Sequence, residues 1–597
     1  MSKRLKAGHL ELLYEEGFLR YIKLGGHEVI RMIYHAVRDQ NWGTIPMTIS
    51  NEFVHEGGSS FEISYDASFQ QSGIDFQLQC HIKGTSDSEI FFDYRGVAQT
   101  SFKRNRIGFL ILHPISTCIG QPVKIGHTEG SHTDTRFPVQ ISPYQPFMNI
   151  AEMTWPIGSN WQADLKMEGE TFEAEDQRNW TDASYKTYCT PLGIPFPVTI
   201  NQGEIVEQRV SLAVMAKGEN RKTALPIQRK ITFGETVPFP KIGTVISQVP
   251  SAMSIQLLKT SGIAYTRVEL SIDNEIKPAL EILIKIQSTG LPVELAIFTD
   301  NPFFVDKVAE IKEALIMVKS ILLLPNKGKT TSQEIIDAIP RLRDLLPGVE
   351  VFAGTDAFFA ELNRFPLDHS NLDGVSYSIN PQVHAFDNRS LIETLEAQSY
   401  TVTSAKKLFP NKEIKVSPIS FHMRWNPNAT DPSIPARFPT GLTDQRQFTF
   451  FGACWWLISW KYMAESKVDS ITYFELTGEN GFFSTINNQG DEVTFSPMFL
   501  LLKEVLGLKP AKIKVSKSTD PLVIDTIVFE IGTKMVCMAV NWSEESKSMN
   551  FPQGFKPTRF TTGADPTTGE LVWKSCETMD SSTFTLQGNS LTELIKS

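Results

Sequence analysis

Paired cysteines are missing from this chain. Its six cysteines (Cys80, Cys118, Cys189, Cys454, Cys537 and Cys576) are scattered, and no C-x-x-C pair occurs. That spacing excludes a zinc knuckle and a disulfide framework. The histidines show no H-x-H or H-E-x-x-H pattern, so no catalytic metal is expected. No G-x-S-x-G elbow marks a serine hydrolase of the α/β type, and no Gly-rich phosphate loop follows a first strand. Like charges form no block, and the formal net charge is −10. Nucleic acid and acidic membrane surfaces are therefore excluded as main partners. The local cluster Lys103, Arg104 and Arg106 is expected to be a solvated strand face. No apolar h-region follows the charged start Met1-Ser2-Lys3-Arg4-Leu5-Lys6, and the most apolar helical run, Phe448 to Met463, is too short to span a bilayer. The expectation is a cytoplasmic enzyme without cofactor, its oligomeric state left open.

What is present is ordinary globular material in quantity. With 597 residues, 41% apolar and 21% charged, the chain is too long for one core. Residues 1–235 read as β: short alternating runs such as Phe61 to Tyr65, Ile74 to Ile82, Ile90 to Tyr94 and Val206 to Val214 recur between turn residues. An N-terminal β-sandwich is expected there. After Pro238-Phe239-Pro240 the rhythm changes, and strand-like and helix-like segments alternate about eight times through residue 510. That is the size and count of a (β/α)8 TIM barrel over 236–510, with a doubly wound open sheet as the alternative. Residues 511–597 return to β, with Leu522 to Phe529 and Lys534 to Asn541 set to pair across Gly532. A small C-terminal β-sandwich is expected.

Barrel pockets lie at the C-terminal ends of the strands, so those ends carry the candidate chemistry. The eighth strand, Ile471-Thr472-Tyr473-Phe474, leads into Glu475. A carboxylate among apolar neighbours is suited to general-base or nucleophile work; the competing reading is a structural ion pair with Arg267. Glu269 alternates with Arg267 on the second strand, so both face the barrel interior, as a site or as a core layer. The sixth strand is followed by Asn380, Gln382, His384 and Asp387, a cluster pointing to ligand contact, with Pro381 fixing the turn.

A second polar-aromatic stretch, Phe172 to Tyr188, holds Glu175, Asp176, Arg178, Asn179, Trp180, Asp182 and Tyr185. Such mixtures are costly to bury unless they pair with one another or with a ligand. Read as functional, Arg178, Trp180 and Asp182 reach an interdomain pocket and bind hydroxyls or a carboxylate. Read as structural, the stretch is a long β-arch packed under the barrel.

Four blocks also carry a likeness: Phe91-Phe92-Asp93-Tyr94-Arg95-Gly96-Val97-Ala98, Lys103-Arg104-Asn105-Arg106-Ile107-Gly108-Phe109, the run Glu175 to Tyr188, and Ile379-Asn380-Pro381-Gln382-Val383-His384-Ala385-Phe386-Asp387-Asn388. Together they resemble the D-apionate lactonase family over nearly the whole chain. The resemblance implies a β domain, a TIM barrel and a second β domain. It also implies a small-molecule sugar lactone as substrate, with D-apionolactone opened to D-apionate in catabolism of a branched plant pentose. Roles follow from position: Glu475 activates water, and Arg267, Asn380 or His384 stabilises the oxyanion. Gln382, Asp387 and Asp182 bind hydroxyls, and Glu269 protonates the leaving alkoxide. Two other classes stay open. One is a glycoside hydrolase using Glu269 and Glu475 as its carboxylate pair. The other is a carbohydrate-binding protein without catalysis.

Overall fold

The computed structural model describes residues 2–217, 228–429, 442–485, 493–565, 570–576 and 582–596. The chain divides into two compact units, the first containing residues 1–177 and 183–227 and the second holding 178–182 with most of the chain after 228.

The first unit is mostly β. Its strands join into one network of 17, with antiparallel neighbours such as Phe61–Gln71, Ile74–Gly84 and Glu89–Ala98. Alternation of burial along Phe61–Gln71 matches the period-two pattern of its sequence. Ser72 and Gly73 make the two-residue link to the next strand, both at positive φ, 51° and 85°. That is the primed turn whose twist suits a hairpin. Phe102–Pro114 lies between His27–Asp39 and Ser184–Tyr188. Within this frame the basic cluster departs from expectation. Lys103 is exposed, but Arg106 is buried, donates from Nη2 to the Pro191 carbonyl at 2.8 Å, and lies 4.8 Å from the Phe196 ring. A guanidinium stem covers aromatic surface well, so this position faces inward.

The polar stretch begun at Phe172 forms a strand pair, Phe172–Asp176 against Ser184–Tyr188, joined through the 3-10 turn Gln177–Trp180. All five residues of the second strand are buried. Its polar groups satisfy one another: Tyr188 donates to Glu173 at 2.5 Å and Lys186 pairs with Glu175.

The second unit contains a closed eight-stranded parallel barrel. Its strands are β1 (Lys241–Ile246), β2 (Tyr265–Ser271), β3 (Val293–Phe298), β4 (Val318–Leu324), β5 (Glu350–Gly354), β6 (Gly374–Ile379), β7 (Glu413–Ile419) and β8 (Ser470–Tyr473). Fully buried apolar runs such as Ile321–Leu324 suit strands covered on both faces. In sequence, Val305 to Val318 and Gln333 to Leu346 each read as one helix, and both form shorter pieces. Val305 to Val318 yields Phe304–Glu310 and a 3-10 turn, because Val318 already pairs with Val293 in the barrel. Gln333 to Leu346 is broken into Gln333–Asp337 and Ile339–Leu345, with Pro340 starting the second piece.

The expected boundary at residue 235 falls inside a strand. Ile231–Pro238 pairs with Lys512–Ser518 at the edge of a seven-stranded C-terminal sheet, so the chain lays down this edge before entering the barrel. Ile231 joins the core of Val528, Cys537, Phe551 and Leu594 there. Ile524–Ile531 and Lys534–Asn541 pair with a turn at Gly532. Among the described residues, no helix is long and apolar enough to cross a membrane.

Candidate active site

The barrel interior is polar at its centre. Glu294 on β3 accepts from Lys415 Nζ at 3.1 Å and Ser417 Oγ at 2.6 Å, both on β7. Ser417 in turn accepts from Arg267 Nη1 at 3.0 Å. Arg267 Nη2 donates to Glu269 Oε1 at 2.8 Å and to Asp356 Oδ1, just past β5, at 3.0 Å. Arg424, beyond β7, donates to Glu269 Oε2 at 2.7 Å and lies 3.5 Å from Asp356 Oδ1. Two guanidiniums and two carboxylates thus form a compensated layer below the mouth. Buried charge is tolerable only in such paired form.

Glu475 follows β8. The two residues flanking it are tied into the barrel, since Phe474 N–H donates to the Ile419 carbonyl and Leu476 N–H to the Val245 carbonyl. The side chain is therefore held by β1 and β7 as well as by its own strand. Glu475 is 2% exposed. Burial pushes its carboxyl from the ordinary 4.5 up to about 7, against the Ser247 hydroxyl, the Asn480 N–H and the Arg424 charge, which pull it down, and with Glu269 adding to the rise. Ser247 Oγ donates to Oε2, and Asn480 N–H donates to Oε1 at 3.3 Å. Gly478, at φ 121°, passes so close that a Cβ there would lie 2.4 Å from Oε1. Only glycine suits both that φ and that approach.

The loop after β6 is linked to the loop after β8. Gln447 donates to Asn480 Oδ1 at 2.8 Å, and its neighbour Arg446 donates to Gln382 Oε1 at 2.9 Å and Asn388 Oδ1 at 3.0 Å. His384 Nδ1 meets Asp182 Oδ2 at 2.6 Å, and its ring stands edge-on to Trp180 at 5.4 Å. Arg364 covers Trp180 at 4.9 Å, and Asn363 donates to Asn179 Oδ1 at 2.9 Å. Residues 178–182 cluster with the barrel, and a carboxylate on one ring nitrogen fixes how the imidazole presents the other. Nearby, Phe386 is 53% exposed and stacks on His422 at 6.2 Å.

Comparison with known proteins agrees with this architecture. Family models match the D-apionate lactonase N-terminal domain over residues 1–217 and the D-apionate lactonase TIM barrel domain over 269–510. A protein of Brucella anthropi named D-apionate lactonase is 30% identical over 544 residues, covering 84% of this chain and 87% of that one. The chain belongs to the D-apionate lactonase family. Membership supports a hydrolase, and the second of the two matched family domains is a TIM barrel. Among solved structures, a GH51 arabinofuranosidase from Xanthomonas axonopodis pv. citri aligns with a TM-score of 0.45 at 10% identity, over 62% of this chain and all of that one. A GH30 endoxylanase from Clostridium papyrosolvens C71 gives 0.42 at 12%, again over 62% and 100%.

For this member of the family, the candidate residues sort into several environments. Glu475 sits at the β8 end as expected. Glu269, on β2, has both oxygens engaged by arginines. Arg267 is fully buried in the layer and Arg178 fully buried against the Tyr400 ring at 5.0 Å, so neither has surface to offer a ligand. Asn380 and Gln382 are also buried; their amides shape the β6 loop, with Asn380 Oδ1 accepting from Gln382 N–H at 3.1 Å and Gln382 donating to the Phe421 carbonyl at 2.7 Å. Asp387 caps the helix Asn388–Leu408, accepting from Ser390 N–H at 3.1 Å and its hydroxyl at 2.6 Å. His384, Asp182 and Trp180 meet each other. Sequence reasoning missed Arg424 and Ser247. Ser247 follows β1 directly, a position that strand-end reasoning reaches; Arg424 lies five residues past β7 and carries no such signal.

Proposed function

We propose that the protein opens a sugar-acid lactone by hydrolysis, with D-apionolactone going to D-apionate in the use of a branched pentose. The observation that carries this reading is Glu475, a buried carboxylate raised to about 7 beside the Arg424 guanidinium at the barrel mouth. A base of that strength accepts a proton from an attacking hydroxyl near neutral pH. The Arg424 charge favours the ionised form of Glu475 and so keeps it available as a base. In this reading Glu475 returns that proton to the departing ring oxygen, and His384, its Nδ1 on Asp182 Oδ2, contacts the sugar. The exposed Phe386 ring offers an apolar face to the C–H side of the sugar. Glu269 positions the two arginines, and in this reading it is no longer the acid. The glycosidase alternative needs a second carboxyl to donate or attack, whereas both Glu269 oxygens accept from guanidinium groups.

Lactone opening releases a carboxylic acid and hence a proton near neutral pH, which glycoside cleavage does not. Purified protein is to be mixed with D-apionolactone, other aldono-γ-lactones and aryl glycosides in weak buffer with a pH indicator. Acidification with the lactones alone is the expected result. Aglycone release without acidification would refute the proposal.

A further inference from the structure

Ser247 places a hydroxyl on the buried base. It follows β1, is exposed, and donates from Oγ to Glu475 Oε2, with the Thr477 carbonyl 3.3 Å from the same oxygen. The other carboxylate oxygen, Oε1, takes the Asn480 N–H and is crowded by the backbone at Gly478. The base itself is 2% exposed, so its open side is the one the serine occupies. Asn480 is held by Gln447. This is the arrangement of an activated nucleophile: a hydroxyl on a base, and the base oriented by a third group.

Resting on the lactonase reading above, we infer that Ser247 is the nucleophile of this site. Its Oγ attacks the lactone carbonyl carbon while its proton passes to Glu475 Oε2. The tetrahedral intermediate collapses by breaking the bond from the acyl carbon to the ring oxygen, which leaves as a hydroxyl by taking from Glu475 the proton that Ser247 gave it. The product of this half is an ester of the opened sugar acid on Ser247, with no atom lost. Water then attacks that ester, its proton going to the carboxylate. The acyl–Oγ bond breaks, Oγ is reprotonated, and the sugar acid departs. Net consumption is one lactone and one water.

Two measurements on the full chain test this. The first treats wild type and Glu475→Gln with a fluorophosphonate, and separately with a γ-lactone followed by acid quench, and maps adducts by peptide mass spectrometry. Adducts on Ser247 are expected in wild type, the lactone adduct having the mass of the whole lactone, and their loss is expected in Glu475→Gln. The second compares kcat of Ser247→Ala with wild type. A nucleophile's removal costs on the order of 10³-fold or more, whereas loss of one hydrogen bond that only positions Glu475 costs about ten-fold. The inference is overturned if Ser247→Ala stays within about ten-fold of wild type, or if neither reagent marks Ser247. A fluorophosphonate adduct on Ser247 in a protein that opens no lactone leaves the nucleophile standing and sinks the substrate reading instead.

Discussion

Replacing Glu475 by Gln is predicted to remove activity and raise stability together. The carboxyl is raised from 4.5 to about 7. At 1.36 kcal/mol per pH unit, that rise corresponds to about 3 kcal/mol of native-state cost for the ionised form. The sign follows from linkage. A group with a raised folded-state value binds its proton more tightly in the native protein than in the unfolded chain. Its favourable contribution is complete below pH 4.5 and is lost as pH climbs to about 7. Gln carries no charge and avoids that loss. It keeps an oxygen for the Asn480 N–H but replaces the other acceptor facing Ser247, which returns about 1 kcal/mol. Above pH 7 the variant is therefore expected to be more stable by about 1–3 kcal/mol. Below pH 4.5 that charge-dependent advantage is gone. Urea unfolding of both proteins between pH 4 and pH 8.5, followed by tryptophan fluorescence, measures the difference. Wild-type kcat/KM should rise with pH through about 7, and the variant should lose on the order of 10²–10⁴ in rate. A variant that is less stable than wild type at pH 8, or whose stability difference does not change with pH, refutes the claim that Glu475 is a desolvated base.

Three further outcomes rest on the packing around it. Gly478→Ala forces a Cβ to within 2.4 Å of Glu475 Oε1 at a φ of 121°; kcat should fall about 100-fold or more, read in the lactone assay, because displacing a reacting group by about 1 Å has that effect. Asp387→Ala removes the N-cap of Asn388–Leu408; stability should drop by about 1 kcal/mol in urea unfolding, while kcat/KM stays within about three-fold, in contrast to the loss a substrate-binding aspartate would show. Arg424→Met takes one guanidinium away from both Glu269 and Asp356; unfolding should show a loss of about 3–5 kcal/mol, and a loss below about 1 kcal/mol would show that the charged layer is not coupled as the distances imply.

The barrel was readable because strand-like and helix-like segments alternate about eight times through residue 510. All eight strands lie where those segments place them. Helix ends were less readable where two elements compete for the same residues, as at Val318, or where a proline divides a pattern, as at Pro340. Glu475 was legible for a physical reason: a carboxylate between Phe474 and Leu476 at the end of an apolar strand is flanked by apolar side chains, so desolvation could be foreseen. Asp387 carried an equally local signal, an aspartate three residues before Ser390 at a helix start, but its polar surroundings suggested a ligand instead.

The arginines show where local reading ends. Arg267 and Arg178 were assigned to substrate because guanidinium suits carboxylate and hydroxyl recognition. Their partners come from elsewhere in the chain: Asp356 is 89 residues from Arg267, and Tyr400 faces Arg178. A dense polar stretch therefore signals that partners exist, without saying whether they are ligand or protein. The same logic separates the two candidate acids. Glu269 and Glu475 are both carboxylates of the barrel strands in sequence, one within the second strand and one just past the eighth. Glu269 is met by two guanidiniums and becomes part of the scaffold. Glu475 is met by a serine hydroxyl and a backbone N–H, which leave its burial only partly compensated. A carboxylate in that condition costs stability, and a chain keeps one where its proton affinity is used.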